Sequence, residues 1–250
     1  MPETLPIVYQ DDYLVAVNKP SGLLVHRSAI DRHETRFALQ ILRDQLGQHL
    51  FPVHRLDKPT SGVLLFARSS QAAQKTAEIF FQHQVEKTYL AIVRGYAPEQ
   101  GVIDHPLREE RDDHGDKKMR RDKPPQAALT EYRRLGTAEI PIAVDKYPHT
   151  RYSLVACYPR TGRKHQLRRH LKHISHPIIG DAKHGKGQHN RFFQQQFDTH
   201  RLLLAATELA LPHPYSGTRL NLCAPLDETF CRLLQTFNWS AAVPASWLGD

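Results

Sequence analysis

Apolar residues in this chain come in short runs broken by turn formers, and that spacing limits the folds open to it. Leu5-Pro6-Ile7-Val8-Tyr9 and Leu14-Val15-Ala16-Val17 are two β-like runs split by Asp11-Asp12. Lys19-Pro20-Ser21-Gly22 reads as a turn before Leu23-Leu24-Val25. Further strands are expected at Val63 to Ala67, Lys87 to Gly95, Ala128 to Leu135 and Tyr152 to Tyr158. Helical spacing is confined to short stretches. Arg36 to Leu46 carries apolar residues at 37, 38, 41, 42 and 46 and is ended by Gly47. Gln71 to about Gln84 has Ser69 or Ser70 as its N-cap and Ala73, Ala77, Phe80 and Phe81 as its expected core face. A third helix starts near His165 and must stop before Pro177. Many strands with few short helices favour the α+β class over repeated βαβ units, with a mixed, mainly antiparallel central sheet flanked by helices and loops.

A chain of 250 residues buries a full core as one domain or as two intimate subdomains. Apolar material begins at Leu5, so residues 1–250 are expected to form a single unit with no appended N-terminal module. The balance of 34 Lys+Arg against 26 Asp+Glu leaves a formal charge of +8, with 16 His in reserve below neutral pH. Nucleic acid is the leading partner class for such a chain, ahead of a basic protein with no polyanion to meet. Cys157, Cys223 and Cys231 have neither Cys-x-x-Cys spacing nor an even count, which argues against a disulfide framework and for a reducing cytoplasm. No run of about 18 apolar residues occurs, and no basic stretch leads into a long apolar one, so neither membrane spanning nor export is expected. A cytoplasmic monomer is the expectation.

The densest functional signal is His54-Arg55-Leu56-Asp57-Lys58-Pro59-Thr60-Ser61-Gly62. A strand rising through Phe51, Val53 and Leu56 would set Arg55 and Asp57 on one face and leave Asp57 on the connection, between cations. Pro59 disfavours helix at Lys58, and Gly62 supplies freedom for a reversal. The second dense segment is Thr161-Gly162-Arg163-Lys164-His165-Gln166-Leu167-Arg168-Arg169-His170-Leu171, a polar turn feeding a basic helix. Leu167, Leu171 and Ile174 mark its buried stripe, flanked by Arg168 and Arg169. An arginine held at the core edge gives a partly buried Asp a fixed counter-charge, and Arg163, Lys164 and Arg169 could neutralise phosphates.

Other chemistries lack their usual handles. His170, His173 and His176 recur every three residues, but no acidic or cysteine partner lies at a recognised metal-ligand spacing, and no metal is expected. No G-x-x-x-x-G-K-[ST], G-x-G-x-x-G or G-x-S-x-G sequence is present. From Arg108 to Pro125 the chain is nearly all charged with both signs mixed, which reads as a solvated loop or as an RNA-contacting flap.

His54-Arg55-Leu56-Asp57 with Lys58 to Gly62, the strand Lys87 to Gly95, and Thr161-Gly162-Arg163-Lys164-His165-Gln166-Leu167-Arg168 together resemble the RluA family of RNA pseudouridine synthases. Lys19-Pro20-Ser21-Gly22 and His176-Pro177-Ile178-Ile179-Gly180-Asp181 add two further elements of that pattern, and the resemblance runs over roughly residues 5–235. It implies the family's catalytic fold, a flipped uridine and no cofactor. It also implies Asp57 as the catalytic aspartate, Arg168 as its partner, Tyr89 stacking on the target base and moving a proton, Leu167 packing on the other side of the uracil, and Arg55 entering the base stack. Val25-His26-Arg27, Asp44 to His49, Tyr147-Pro148 with Thr150-Arg151-Tyr152, the doubled Arg168-Arg169, and His184-Gly185 ahead of Asn190-Arg191 resemble members that act on tRNA. The absence of an N-terminal S4 RNA-binding module fits the same members. This implies a tRNA substrate and uridine 65 of the acceptor-stem region as the target. Another tRNA or ribosomal RNA uridine, a non-catalytic RNA-binding protein and a base-removing glycosylase are the competing readings.

Overall fold

The computed structural model describes residues 3–26, 34–110 and 124–249, so Arg27 and most of the charged run, 111–123, lie outside the described residues. Among the described residues ten strands form one sheet: β1 (Ile7–Gln10), β2 (Leu14–Lys19), β3 (Phe51–Pro52), β4 (Ser61–Ala67), β5 (Glu86–Arg94), β6 (Gln100–Asp104), β7 (Leu129–Ile140), β8 (Thr150–Pro159), β9 (Leu204–Pro212) and β10 (Arg219–Cys223). Their order is β1-β2-β4-β9-β5-β8-β7-β6, with β3 beside β4 and β10 beside β9. Every neighbouring pair is antiparallel except β4 and β9, so the sheet is mixed and mainly antiparallel.

The parallel β4–β9 seam is narrow. Only Ser61↔Ala205 and Gly62↔Ala206 are in register across it. Gly62 has φ +113°, and a Cβ there would collide with the Ala206 carbonyl, so glycine is what allows the two backbones to meet. Tyr89 of β5 registers with the same Ala206 on the far side. The segment leading into Gly62 and the side chain of Tyr89 therefore flank one point of the sheet.

Helices cover both faces. On the β1-β2-β4 half, α1 (Ala38–Leu46) buries Ala38 and Leu42 against Val15, Val17, Leu64 and Phe66. On the opposite face, α2 (Ser70–Phe81) buries Ala72 against Leu14, Ala16, Val63 and Leu65. On the other half of the sheet, α3 (Gln166–His173) packs Leu167 and Leu171 on Ala91, Val93 and Val155. Across the sheet, α4 (Gly187–Phe197) and α5 (Glu228–Thr236) bury Phe193, Phe230 and Leu233 against Leu90, Ile92 and Leu154. Each buried Leu or Phe among these contributes about 1.5–3 kcal/mol by leaving water.

The expected face of α2 holds in part, with Ala73 and Phe80 packed partly buried against the core and Ala77 exposed. Its Ser69 cap is as expected, accepting from the Ala72 N–H at 3.1 Å, but the buried positions are Ala72 and Thr76, while Phe81 is 79% exposed. Thr76 reads as polar in sequence, yet its hydroxyl donates to the Ala72 carbonyl at 2.7 Å and so enters the core satisfied. Among the described residues no helix is long and apolar enough to cross a membrane.

Candidate active site

Asp57 lies on the loop between β3 and β4. Pro52 has no N–H with which to extend β3 along β4, so the expected strand through Phe51, Val53 and Leu56 stops at residue 52. Arg55 and Asp57 do line one cleft of about 700 Å³, but braces in the loop rather than strand alternation bring them there. His54 Nε2 accepts the Leu65 N–H at 3.0 Å, and its ring stacks on Phe80. Burial, then the nearby Lys87 charge, pushes its imidazole down to about 4, which keeps it a neutral acceptor. Leu56 is buried beside α1. The Thr60 N–H donates to the Asp57 carbonyl at 3.0 Å and closes the turn.

A second brace comes from the Lys19-Pro20-Ser21-Gly22 turn. The Gly22 N–H donates to the Lys58 carbonyl at 2.9 Å, and Ser21 Oγ donates to the Pro59 carbonyl at 2.7 Å. Lys19 is fully buried, and its Nζ donates to the carbonyls of Pro20, Leu23 and Lys58 at 2.8, 2.8 and 3.1 Å. Burial and then the Arg201 charge push this ammonium down to about 7, while the charge of Asp57 works the other way.

Arg168 enters from the first turn of α3. Its Nε and Nη2 each donate to Asp181, both at 2.8 Å, and its Nη1 donates to Asp57 Oδ2 at 3.3 Å. The two-pronged face of the guanidinium is thus spent on Asp181, and Asp57 receives a single bond from Nη1. Asp181 has no exposed side-chain surface, against 24% for Asp57. The Asp181 carboxyl is pushed up by burial but held below its ordinary value by the Arg168 bonds and charge and by the His184 N–H. Guanidinium and buried carboxylate form a fixed unit with one donor presented to the cleft.

Tyr89 and Leu167 line the same cleft. Tyr89 packs at the boundary of two apolar clusters, one under α1 and one under α3, and Leu167 belongs to the second. Burial, then the Asp57 charge, pushes the Tyr89 phenol well above its ordinary value, so it stays protonated at neutral pH. A carboxylate, a fixed cation, a neutral phenol and an aliphatic wall meet at the seam of the sheet.

Residues 13–173 match the family model described as RNA pseudouridylate synthase. The chain belongs to that family. It is 55% identical to tRNA pseudouridine synthase C of Vibrio cholerae, over 96% of this chain and 98% of the relative. It is 53% identical to the protein of the same name from Salmonella typhi, over 96% and 92%. Among solved structures, human RNA pseudouridylate synthase domain containing 4 is similar, with a TM-score of 0.70, 31% identity and 93% of each chain covered. The molecule is an RNA pseudouridine synthase, an isomerase.

The remaining residues expected at the site of this synthase stand at the rim. Arg55 is exposed on the cleft wall and has no ion-pair partner among the described residues. Arg163 is exposed, its Nε donating to the Ala127 carbonyl at 3.1 Å, and Lys164 lines the cleft beside it. Arg169 Nη1 donates to the Arg108 carbonyl at 2.8 Å. His170, His173 and His176 do not converge. His170 bonds Thr130 Oγ1 and the His105 carbonyl, His173 stacks on His105, and His176 bonds the Arg94 carbonyl.

Four residues with a part in the site were not singled out from sequence. Asp181 and Lys19 lie inside quoted motifs, and position in the motif was their only signal. Gln166 fixes the start of α3: its Oε1 accepts from Arg163 N and Thr161 Oγ1, and its Nε2 donates to the Leu129 carbonyl and Thr130 Oγ1. Glu110, hidden in the charged run, reaches His165 and His184, and these three bring possible metal-ligand atoms within 4.8 Å of one another. Burial pushes the Glu110 carboxyl up, but a bond from Lys183 and the charges of His184, Lys183 and His165 outweigh it and hold the group low.

Proposed function

We propose that this synthase acts on tRNA, converting uridine 65 of the acceptor-stem region to pseudouridine, with Asp57 as the catalytic carboxylate. The tRNA substrate is supported by the names of relatives more than 50% identical over nearly the whole chain. The observation that carries the catalytic reading is the Arg168 guanidinium, locked by Asp181 and presenting Nη1 to Asp57 in the cleft that Tyr89 and Leu167 also line.

Chemistry on a stem base starts with extrusion, at a cost of a few kcal/mol. Phosphate contacts at the basic rim offset that cost, and Arg55 enters the vacated place in the stack. The uracil lies between Tyr89 and Leu167. With Asp57 engaged, the N1–C1′ bond breaks, the ring turns, and C5 bonds to C1′. The C5 proton leaves and N1 gains one, with Tyr89 able to pass a proton as a neutral phenol. Arg168 holds its charge beside Asp57 without reorganising as charge moves. The rearrangement is redox-neutral and consumes no phosphate, so its balance asks for no cofactor.

The chain acts as a monomeric single unit, and the residues assigned to the reaction, Asp57, Tyr89, Leu167 and Arg168, all line one cleft of that chain. Its three free cysteines fit a cytoplasmic site of action. Two measurements test the reading. Wild-type protein is expected to release tritium from tRNA carrying 5-tritiated uridine. No release rejects the reaction, and free uracil as product means a glycosylase. Carbodiimide-dependent reverse-transcription stops in tRNA from cells lacking the protein are expected to vanish at position 65. Loss of a stop elsewhere, in ribosomal RNA for instance, rejects the position and keeps the chemistry.

A further inference from the structure

We infer that the Glu110 carboxylate occupies a phosphate subsite of the substrate cleft, formed by Lys183, Arg169, His165 and His184. The inference rests on the reading of this cleft as an RNA site. Lys183 Nζ and His165 Nδ1 lie 3.0 and 3.1 Å from Glu110 Oε2. Arg169 Nε and His184 Nε2 lie 3.5 and 3.6 Å from Oε1. Four nitrogen-bearing side chains thus converge on one carboxylate, whose side chain keeps 19% exposure and lines the cleft.

The cluster does not depend on Glu110 for its shape. Asp181 Oδ1 accepts the N–H groups of Lys183 and His184 at 3.0 and 2.9 Å, which fixes the turn that carries both. His165 sits at the start of α3 in the left-handed region, φ 53°, and Arg169 lies in the first turn of the same helix. The subsite is also close to the reacting centre, because His165 Nε2 is 3.9 Å from Asp57 Oδ2. A uridine extruded to Asp57 carries a phosphate on each side. A phosphate, like a carboxylate, offers anionic oxygens that only accept, and it suits the same donors. RNA entering the cleft therefore competes with Glu110 for Lys183 and Arg169.

Glu110, His165 and His184 alone would also suit a divalent metal ion. The two cations against the same carboxylate, Lys183 and Arg169, favour an anion instead.

The test compares the wild type, Glu110→Gln, Glu109→Gln, Lys183→Ala and the double variant Glu110→Gln/Lys183→Ala in binding an unmodified tRNA transcript over a salt series. Glu110→Gln is expected to tighten binding by about fivefold, the upper range for one displaced ion pair, and Glu109→Gln by clearly less. Lys183→Ala in the Glu110→Gln background is expected to remove most of the gain and to lower the salt slope by about 0.7–0.9. Equal, additive tightening by both Glu→Gln changes would mean general repulsion and overturn the subsite. Weaker binding by Glu110→Gln would make the residue a structural tether, with the same result. Visible cobalt(II) bands that depend on Glu110 would identify a metal site instead. Tritium release, read on the same wild-type protein, separates the two levels: release without a specific Glu110 effect overturns the subsite alone, and the binding pattern without release overturns the reaction alone.

Discussion

Replacing Asp181 by Asn removes the charge that holds Arg168 and leaves the shape of the side chain nearly unchanged. Asp181 is fully buried and accepts four bonds, two from Arg168 at 2.8 Å and two from the N–H groups of Lys183 and His184. An Asn can keep the oxygen that faces the two N–H groups, but its amide then sets a donor against Arg168 Nε. Breaking a buried ion pair costs about 3–5 kcal/mol, and the surviving Asp57 contact puts this case near the lower end. For a chain of this size about 3 kcal/mol lowers Tm by roughly 6–12 °C. The pH dependence has a definite sign. A carboxyl whose folded pKa is lowered contributes stability that is full above its unfolded pKa, about 3.9, and fades as pH falls through the lower folded value. Urea unfolding of wild type and Asp181→Asn is therefore expected to show a gap of about 3 kcal/mol at pH 7 that narrows below about pH 4. Catalysis should fall by more than binding, since Arg168 is no longer aimed at Asp57. A gap under about 1 kcal/mol at pH 7, or one that stays constant down to pH 3, would refute the reasoning that the fork is a buried charged unit.

Two other changes test other parts of the site. Tyr89→Phe keeps the ring and loses the phenol, so kcat is expected to fall while tRNA binding stays near the wild-type value; a change confined to KM would assign Tyr89 to stacking alone. Because burial raises its phenol, Tyr89 should add no ionisation step to the pH–rate profile of the wild type below about pH 10. Lys19→Met strips a donor from three carbonyls that brace the Asp57 turn, and is expected to cost about 2–4 kcal/mol by urea unfolding together with a loss of kcat. The Lys19 ammonium is pushed down to about 7 in the fold and titrates near 10.4 when unfolded, so the advantage of wild type over Lys19→Met should grow as pH rises between those values.

What sequence makes legible here is local and periodic. The end of α1 at Gly47, which has φ 60°, follows from turn chemistry. The placing of Tyr89, Ala91 and Val93 on one face of β5 follows from a period of two over nine residues. Leu167 and Leu171 are spaced for burial and are buried. Misreadings arise where a residue type belies its setting. Thr76 counts as polar and sits in the core, and Pro52 looks like one more member of an extended run yet ends it. The seam is the larger omission. Pairing of β4 with β9 joins residues about 144 positions apart in chain through two registered pairs, and no local pattern announces it. Asp57, Tyr89 and Arg168 are legible as a set through the resemblance of their motifs. That Arg168 spends its fork on Asp181, and that Glu110 reaches across the rim, depends on side-chain geometry that spacing does not encode.

The central claim is that Asp57 carries the isomerisation. It is tested most directly by comparing wild type and Asp57→Asn on an unmodified tRNA transcript containing 5-tritiated uridine, with tRNA affinity measured alongside. Wild type is predicted to release one tritium for each target uridine converted. Asp57→Asn is predicted to bind the transcript about as well as wild type while its release rate falls by at least about a thousandfold. Release by Asp57→Asn at a rate close to that of wild type would contradict the account.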